Sequence, residues 1–451
     1  MQKDKFEQYL WLWRTAAIAT TLVVMVVCYN KQMHSPTRLK GDINIFVNIA
    51  ESIYKGEHPY IDPEDGYMFV YPPMSGVVFI PFIGLPIWVN VLWLVVLNTL
   101  LIGVSILLGY EAMTGKKFRM LPLKTQWAIA TLTILLGARY LIYEISSGQV
   151  NLIVMSLTML GLWLIMKQKN VSGGIALGIG ISFKLLTLPL GLWYLAKQRW
   201  KLVGAIVLGG IIWIALPSLF LGIERNIELF SYFVVERVLK NAPTATELPF
   251  KHIDPTGIAL QADNISISAQ MIRLFTNTAA FEHDGVLHSI TILELPKVWL
   301  SLFKATLILL LLLPIPYYAY RYRHKSATLY EWGGVALACA TVPAFLPQAH
   351  QYHMVAMLPA WLYFAVAIAE WKVKDKWFIG YVIAAFAITL LTSPDIIGWY
   401  LAKLTLAYGA FLFVVVLTIA AIFRLTDVCS KLGIPENATE KVETEMLTHG
   451  T

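Results

Sequence analysis

The sequence predicts an all-α polytopic membrane protein, a helical bundle with about twelve membrane segments and two long loops on one face that carry interfacial helices. Three observations predict it. Hydrophobic residues make up 57% of the 451 and charged residues only 14%, and the mean hydropathy is +0.64. Apolar runs of roughly 18 to 25 residues recur along the chain, the length at which a helix crosses a bilayer. Long polar stretches are few, and an irregular chain cannot satisfy its backbone groups in lipid. The organisation that follows is one transmembrane domain over residues 1–423 and a cytoplasmic tail over 424–451, polar from Ile434 onward.

Two lysines precede the first apolar run, which starts at Leu10 and ends near Cys28 without a small-residue cleavage signal, so it reads as a retained helix over 10–29. The next run, 74–109, is broken by Pro81 and Pro86. Segments at 126–144 and 149–166 follow. Those at 171–183 and 185–197 are too short to cross ~30 Å of hydrocarbon, and they read as a pair meeting inside the membrane around Lys184. Further segments fall at 202–222, 298–317, 329–346, 353–370, 377–393 and 399–423.

Lysine and arginine cluster in alternate short loops: Lys116 to Lys124, Lys167 and Lys169, Lys197 to Lys201, Arg321 to Lys325, and Lys372 to Lys376. Together with Lys3 and Lys5 these mark the cytoplasmic side, which also takes both termini. The net charge of +7 sits in these loops, so it is a topology signal and argues against a nucleic-acid partner. The outer side receives loops of about 30–73 and 223–297 and the turns near Ser147, Pro347 to His353 and Ser393.

Both long loops contain amphipathic stretches. Ile43, Phe46, Val47, Ala50 and Tyr54 form one stripe, with Asn44, Asn48 and Glu51 opposite, which predicts a helix lying flat on the outer leaflet. In 226–239, Ile227, Phe230, Phe233 and Val234 face one way, with Glu228, Arg237 and Lys240 off the stripe. Cys28, Cys339 and Cys429 form no metal or disulfide pattern and read as packing residues.

Asp42 precedes the first of these helices. It is either an N-cap or a base held at the lipid–water boundary, roles that can coexist. Lys184 lies deep in an apolar segment, where an unpaired charge costs a few kcal/mol, so a phosphate-binding role is expected. Arg139 and Glu144 are expected to pair with each other as a structural contact. His350 and His353 form an HxxH pair that no nearby carboxylate completes; hydrogen bonds to a phosphate or sugar are the better expectation than a metal. The polar segment Asn264 to Arg273 can order over a substrate.

The order of these pieces carries a resemblance. Gly41-Asp42 and its helix come first, then Gly56-x-x-Pro59-Tyr60, Tyr71-Pro72-Pro73, Gly148-Gln149-Val150-Asn151, Gly178 to Lys184, Asn264-x-Ser266 to Arg273, and the His350 turn. Together they resemble glycosyltransferase family 87, over roughly residues 10–370, by their order more than by any one motif. The resemblance implies a GT-C type fold and an inverting transfer of a hexose, mannose in the best-known members, from a polyprenyl-phosphate sugar. The acceptor would be a lipid or glycan at the outer face of the cell (plasma or inner) membrane. It also implies a catalytic Asp42, donor-phosphate contacts from Lys184, His350 and His353, and substrate contacts from Tyr60, Tyr71, Gln149, Asn151, Asn264, Ser266 and Arg273. Partners would be the donor, the acceptor and membrane lipids, with no cofactor and no metal. This chain has Ile265 where the family commonly has Gln, and Ala349-His350-Gln351-Tyr352-His353 where a Trp-Asp-His turn is usual.

Two other classes share some of these features. Broken helices and an intramembrane lysine also mark secondary transporters and lipid flippases, but no repeat relates the halves of this chain. Polysaccharide ligases and polymerases share the location, and they usually rely on arginine-rich outer loops, which this chain lacks.

Overall fold

The computed structural model describes residues 10–35, 41–60, 69–239, 262–324, 328–342, 346 and 349–432. The N-terminal lysines, Lys240, Lys325, Pro347, Gln348 and the tail from Ile434 lie outside the described residues. Helices follow one another almost without interruption. They are α1 (Leu10–Met33), α2 (Asp42–Tyr54), α3 (Ile87–Thr114), α4 (Leu123–Ser146), α5 (Asn151–Met166), α6 (Asn170–Lys184), α7 (Pro189–Ala196), α8 (Trp200–Ala215) and α9 (Ile223–Tyr232). After α10 (Ile267–Phe275) comes a hairpin, β1 (Ala279–His283) antiparallel to β2 (Val286–Ser289), then α11 (Lys297–Leu312), α12 (Pro314–Arg321) and α13 (Thr328–Ala340). The chain closes with α14 (Leu358–Ala369), α15 (Lys376–Leu391), α16 (Pro394–Ala407) and α17 (Ala410–Leu432). The hairpin departs from the all-α reading: Asp284 and Gly285 both have positive φ, which suits a tight two-residue turn between strands.

Among the described residues, seven helices are long and apolar enough to cross a membrane, or up to eight if the bent pair α15 and α16 counts as one span. The expected segments at 149–166, 171–183, 185–197 and 329–346 correspond to described helices of 16, 15, 8 and 13 residues, each too short to count among these spans. The last expected segment, 399–423, is corrected. Pro394 fixes φ at the start of a new helix bent 88° from α15, and Gly409 at φ 88 then turns the chain into α17. α17 runs past Arg424 to Leu432.

The paired α6 and α7 meet at a break around Leu185, a non-glycine residue at φ 53, and Pro189 restarts the helix. α6 lies very close to α8: a Cβ on Gly178 would stand 2.0 Å from the Ile206 carbonyl oxygen, so only glycine allows this approach.

Ion pairs tie the basic loops together at one end of the bundle. Lys197 and Arg199 reach Glu331 at 3.5 and 2.8 Å, Lys116 reaches Glu370 at 3.7 Å, and Arg424 reaches Asp375 at 2.6 Å. The opposite end holds α2, the Ser147 turn, the hairpin, the His350 turn and the start of α16.

The two amphipathic helices differ from expectation. α2 is wedged into the protein instead of lying flat on lipid. Its stripe residues Ile43, Phe46, Val47 and Ala50 are buried, and burial extends to Asn44, Ile49 and Ile53, whereas Tyr54 at the helix end is 72% exposed. The segment after residue 68 covers it: Phe46 stacks on Tyr71 and meets Phe69 and Phe79, and Asn90 on α3 donates to Asn44. On α9 and the π-helical turn that follows, the buried face is Asn226, Leu229, Phe233 and Arg237, and Ile227 is exposed. Arg237 belongs inside because it donates to the carbonyl oxygens of Tyr60 and Phe69, at 2.6 and 3.2 Å, and lies over the Tyr60 and Tyr232 rings.

Candidate active site

Asp42 stands at the first position of α2, with Gly41 as the N-cap at φ 109. The N-cap alternative is corrected, because Gly41 holds the cap position and Asp42 is already the first helical residue, its carboxylate accepting from Gln149. The backbone N–H of Asp42 donates to the Ser147 carbonyl at 3.0 Å, locking α2 to the end of α4. Gly148 makes that contact possible. It has φ 69, and a Cβ there would come within 2.8 Å of Gln32 Oε1 and 3.2 Å of the Asp42 nitrogen.

The same turn delivers Gln149 to the Asp42 carboxylate, to which its Nε2 donates, while Lys184 Nζ donates to Gln149 Oε1 at 2.5 Å. Only one orientation of the amide satisfies both neighbours, oxygen to the ammonium and NH2 to the carboxylate. Lys184 is 5% exposed. Two aromatic faces complete its surroundings, Tyr71 at 4.9 Å and Tyr352 at 5.3 Å from Nζ to ring centroid. The Tyr71-Pro72-Pro73 segment is held there because Ser75 Oγ donates to the Phe183 carbonyl at 2.9 Å.

Burial pushes the Asp42 carboxyl up to about 6, and the charges of Lys184 and His350 limit that rise. A carboxylate poised there is ionised at neutral pH yet basic enough to take a proton.

Arg139 and Glu144 do not pair with each other; five positions apart, they leave α4 on different faces. Arg139 donates to Gln351 Oε1 at 3.1 Å, to the Thr389 and Thr392 carbonyls at 2.5 and 3.2 Å, and to Thr392 Oγ1 at 2.8 Å. Glu144 caps α5, accepting from the Asn151 and Leu152 N–H groups at 2.7 and 3.2 Å and from Asn151 Nδ2 at 2.7 Å. Asn151 also donates to the Tyr352 carbonyl at 3.4 Å, so its place is between the two turns.

In the late turn, the His350 N–H donates to His353 Nδ1 at 2.9 Å, so the neutral His353 ring carries its proton on Nε2. His350 Nδ1 lies 3.5 Å from Asp263, and Asp263 is the functional candidate that sequence reasoning missed. It sits one residue before the polar segment that was singled out, without a motif of its own. Burial pushes the Asp263 carboxyl up, but the His350 ring and the Arg273 charge outweigh it, and the carboxyl titrates below its ordinary range.

Besides Asn151, four predicted site residues act as supports in this geometry. Asn264 Oδ1 accepts from the Ala349 N–H at 3.1 Å, and the Ile265 N–H donates to the Ala349 carbonyl at 2.6 Å, so this segment holds the His350 turn. Ser266 caps α10, accepting from Ala269 at 3.1 Å, and Arg273 donates to the Asn264 carbonyl at 2.9 Å. Tyr60 donates from its hydroxyl to the Tyr71 carbonyl at 2.7 Å. The structure thus brings Asp42, Gln149, Lys184, Tyr71 and the His350 turn together around one point, with Tyr60, Asn151, Asn264, Ser266 and Arg273 behind them.

A buried carboxylate, a buried lysine and two histidines thus meet at one end of the helical bundle. The sequence pattern of glycosyltransferase family 87 matches residues 69–347, more than half of the chain. The chain belongs to glycosyltransferase family 87. It is therefore a membrane glycosyltransferase. No curated protein matches it. The matched stretch contains Tyr71, Gln149, Asn151, Lys184, Asn264, Ser266 and Arg273, and both Asp42 and the His350 turn lie outside it. Among the described residues, no group of three or more His, Cys, Asp or Glu side chains is placed to hold a metal ion.

Proposed function

We propose that this glycosyltransferase moves a hexose, with mannose the first candidate, from a polyprenyl-phosphate sugar to a lipid-linked or glycan acceptor at the outer face of the membrane, with inversion at the anomeric carbon. The observation that carries the reading is the chain of contacts from Asp42 through Gln149 to Lys184. A carboxylate and an ammonium bridged by one amide, rather than joined in a direct ion pair, support a base and a phosphate-binding cation acting on the same substrate.

The acceptor hydroxyl gives its proton to Asp42 as its oxygen attacks C1 of the sugar, and the bond from C1 to the phosphate oxygen breaks. Polyprenyl phosphate leaves with the bonding electrons. Its growing negative charge is stabilised by Lys184 and by hydrogen bonds from the Nε2–H of His353 and from His350. Because attack and departure are on opposite faces, a β-linked donor gives an α-linked product. The phosphate is already a good leaving group, so nothing has to protonate it. The basic loops at the far end of the bundle favour a cytoplasmic position for that end, which puts the site outside.

The test is turnover of purified protein in nanodiscs with polyprenyl-phosphate mannose. Acceptor-dependent release of polyprenyl phosphate, with an α-linkage in the product by NMR, is expected. Acceptor glycosylated with retained β-configuration, or donor left intact while other lipid-phosphate sugars are consumed, would replace this reading.

A further inference from the structure

A cavity of about 780 Å³ lies beside the site, between α1, α4, the hairpin and α16. Its inner wall is made of residues that touch the site from behind. Asp263 is the partner of His350, Gln351 sits next to it in the turn, and Tyr143 stacks on Tyr352, whose ring also faces Lys184. Its roof is the hairpin packed on α16. Lys403 on α16 donates to the Glu282 carbonyl at 2.7 Å, and Tyr400 packs against Phe281 and His288. Its outer rim is apolar and exposed, with Ile142 on α4 and Ile396 and Trp399 on α16. A tryptophan on a helix bent away from the span direction suits the membrane interface.

The lining chemistry separates this cavity from a phosphate site. Arg139 is occupied by the Gln351, Thr389 and Thr392 oxygens, and carboxylates from Asp263 and Asp395 offset the remaining positive charge. Carboxylates, an amide and a serine hydroxyl beside aromatic rings match the hydroxyl groups and apolar faces of a sugar or polyol. The volume is within the range of small-ligand sites, roughly 300–1,000 Å³.

We propose that this cavity is the acceptor subsite: it receives the sugar or polyol head of an amphiphile whose apolar tail stays in the bilayer past Trp399, and presents a hydroxyl toward Asp42 under the Tyr143–Tyr352 stack. The assignment rests on the transferase reading above and adds the place and the chemical class of the acceptor. An amphiphilic acceptor reaches the site sideways from the membrane; a soluble glycan has no use for the apolar rim.

The experiment is photolabelling in nanodiscs with an octyl mannoside that carries a diazirine on its sugar ring, with no donor added. Adducts are expected on the peptides spanning 279–283 and 394–406, displaced by excess octyl mannoside and not by methyl mannoside at the same concentration. Ile142→Trp, a filling change at an exposed position, and Trp399→Ala, which removes the rim, are each expected to weaken labelling about tenfold, the loss of one good contact. Adducts distributed evenly over the lipid-facing helices, or labelling unchanged in both variants, would overturn the assignment. The labelling needs no donor, so the two readings fail separately. Labelled walls in a protein that leaves polyprenyl-phosphate sugars intact would count against the donor alone, and donor turnover with unlabelled walls against the cavity alone.

Discussion

At the scale of single residues, the behaviour of Asp42 follows from what surrounds it. Burial alone would push its carboxyl higher, and Lys184 and His350 hold it near 6. A base must be ionised to act, so the rate is expected to fall about tenfold per pH unit below that point and to level off above it. Lys184→Met removes one of the two restraining charges, so the acid limb of the pH–rate profile should move to higher pH. Donor affinity should drop about tenfold or more in the same variant, as expected for losing a hydrogen bond to a charged group. An unmoved limb with normal donor binding would take Lys184 out of the site. Asp42 and Lys184 were legible in the sequence because a carboxylate at a helix start and a charge in an apolar run are both anomalies. Asp263 was not, since an aspartate in a polar loop is ordinary until His350 is placed beside it across 87 positions of sequence (350 minus 263).

At the scale of elements, the site is assembled by turns that hold helix ends together. The Ser147-Gly148-Gln149 turn joins α4, α5 and the start of α2, and the Asn264 segment holds the His350 turn. Gly148→Ala should force that turn open, because φ 69 is costly for alanine by roughly 1–2 kcal/mol and the new Cβ meets Gln32 and the Asp42 backbone. Turnover is expected to fall much more than thermal stability. Gly204→Ala is the matched control: it lies inside α8 with nothing within 4 Å of the added Cβ, and it should raise stability by roughly 0.5–1 kcal/mol with turnover unchanged. Equal effects in the two variants, measured by thermal melting and turnover, would contradict this account of the turn. Helix positions were readable from hydropathy almost throughout. The amphipathic stripes misled because an apolar face says that something covers it and does not say whether lipid or protein does. For α2 the cover is the Phe69 to Phe79 segment, distant from any period in the helix itself. The break between α16 and α17 was missed for a related reason: the hydropathy of 399–423 is continuous across Gly409, and only its φ divides it.

At the scale of the whole molecule, the bundle has a basic end, cross-linked by ion pairs, and a site end built of turns. The basic end predicts sidedness. The three native cysteines are free and buried, so an introduced thiol can be read against low background. Asp284→Cys, in the exposed hairpin turn, should react with a membrane-impermeant maleimide in intact cells, and Lys169→Cys, between α5 and α6, only after permeabilisation. The reverse pattern would place the site in the cytoplasm. Above sidedness stands the claim that one carboxylate drives the transfer. The most direct measurement is single-turnover transfer from polyprenyl-phosphate mannose by Asp42→Asn protein in nanodiscs, with donor binding measured on the same sample. The account predicts a rate lowered by about 10² to 10⁴, with donor affinity preserved within severalfold. Full transfer by Asp42→Asn would contradict it.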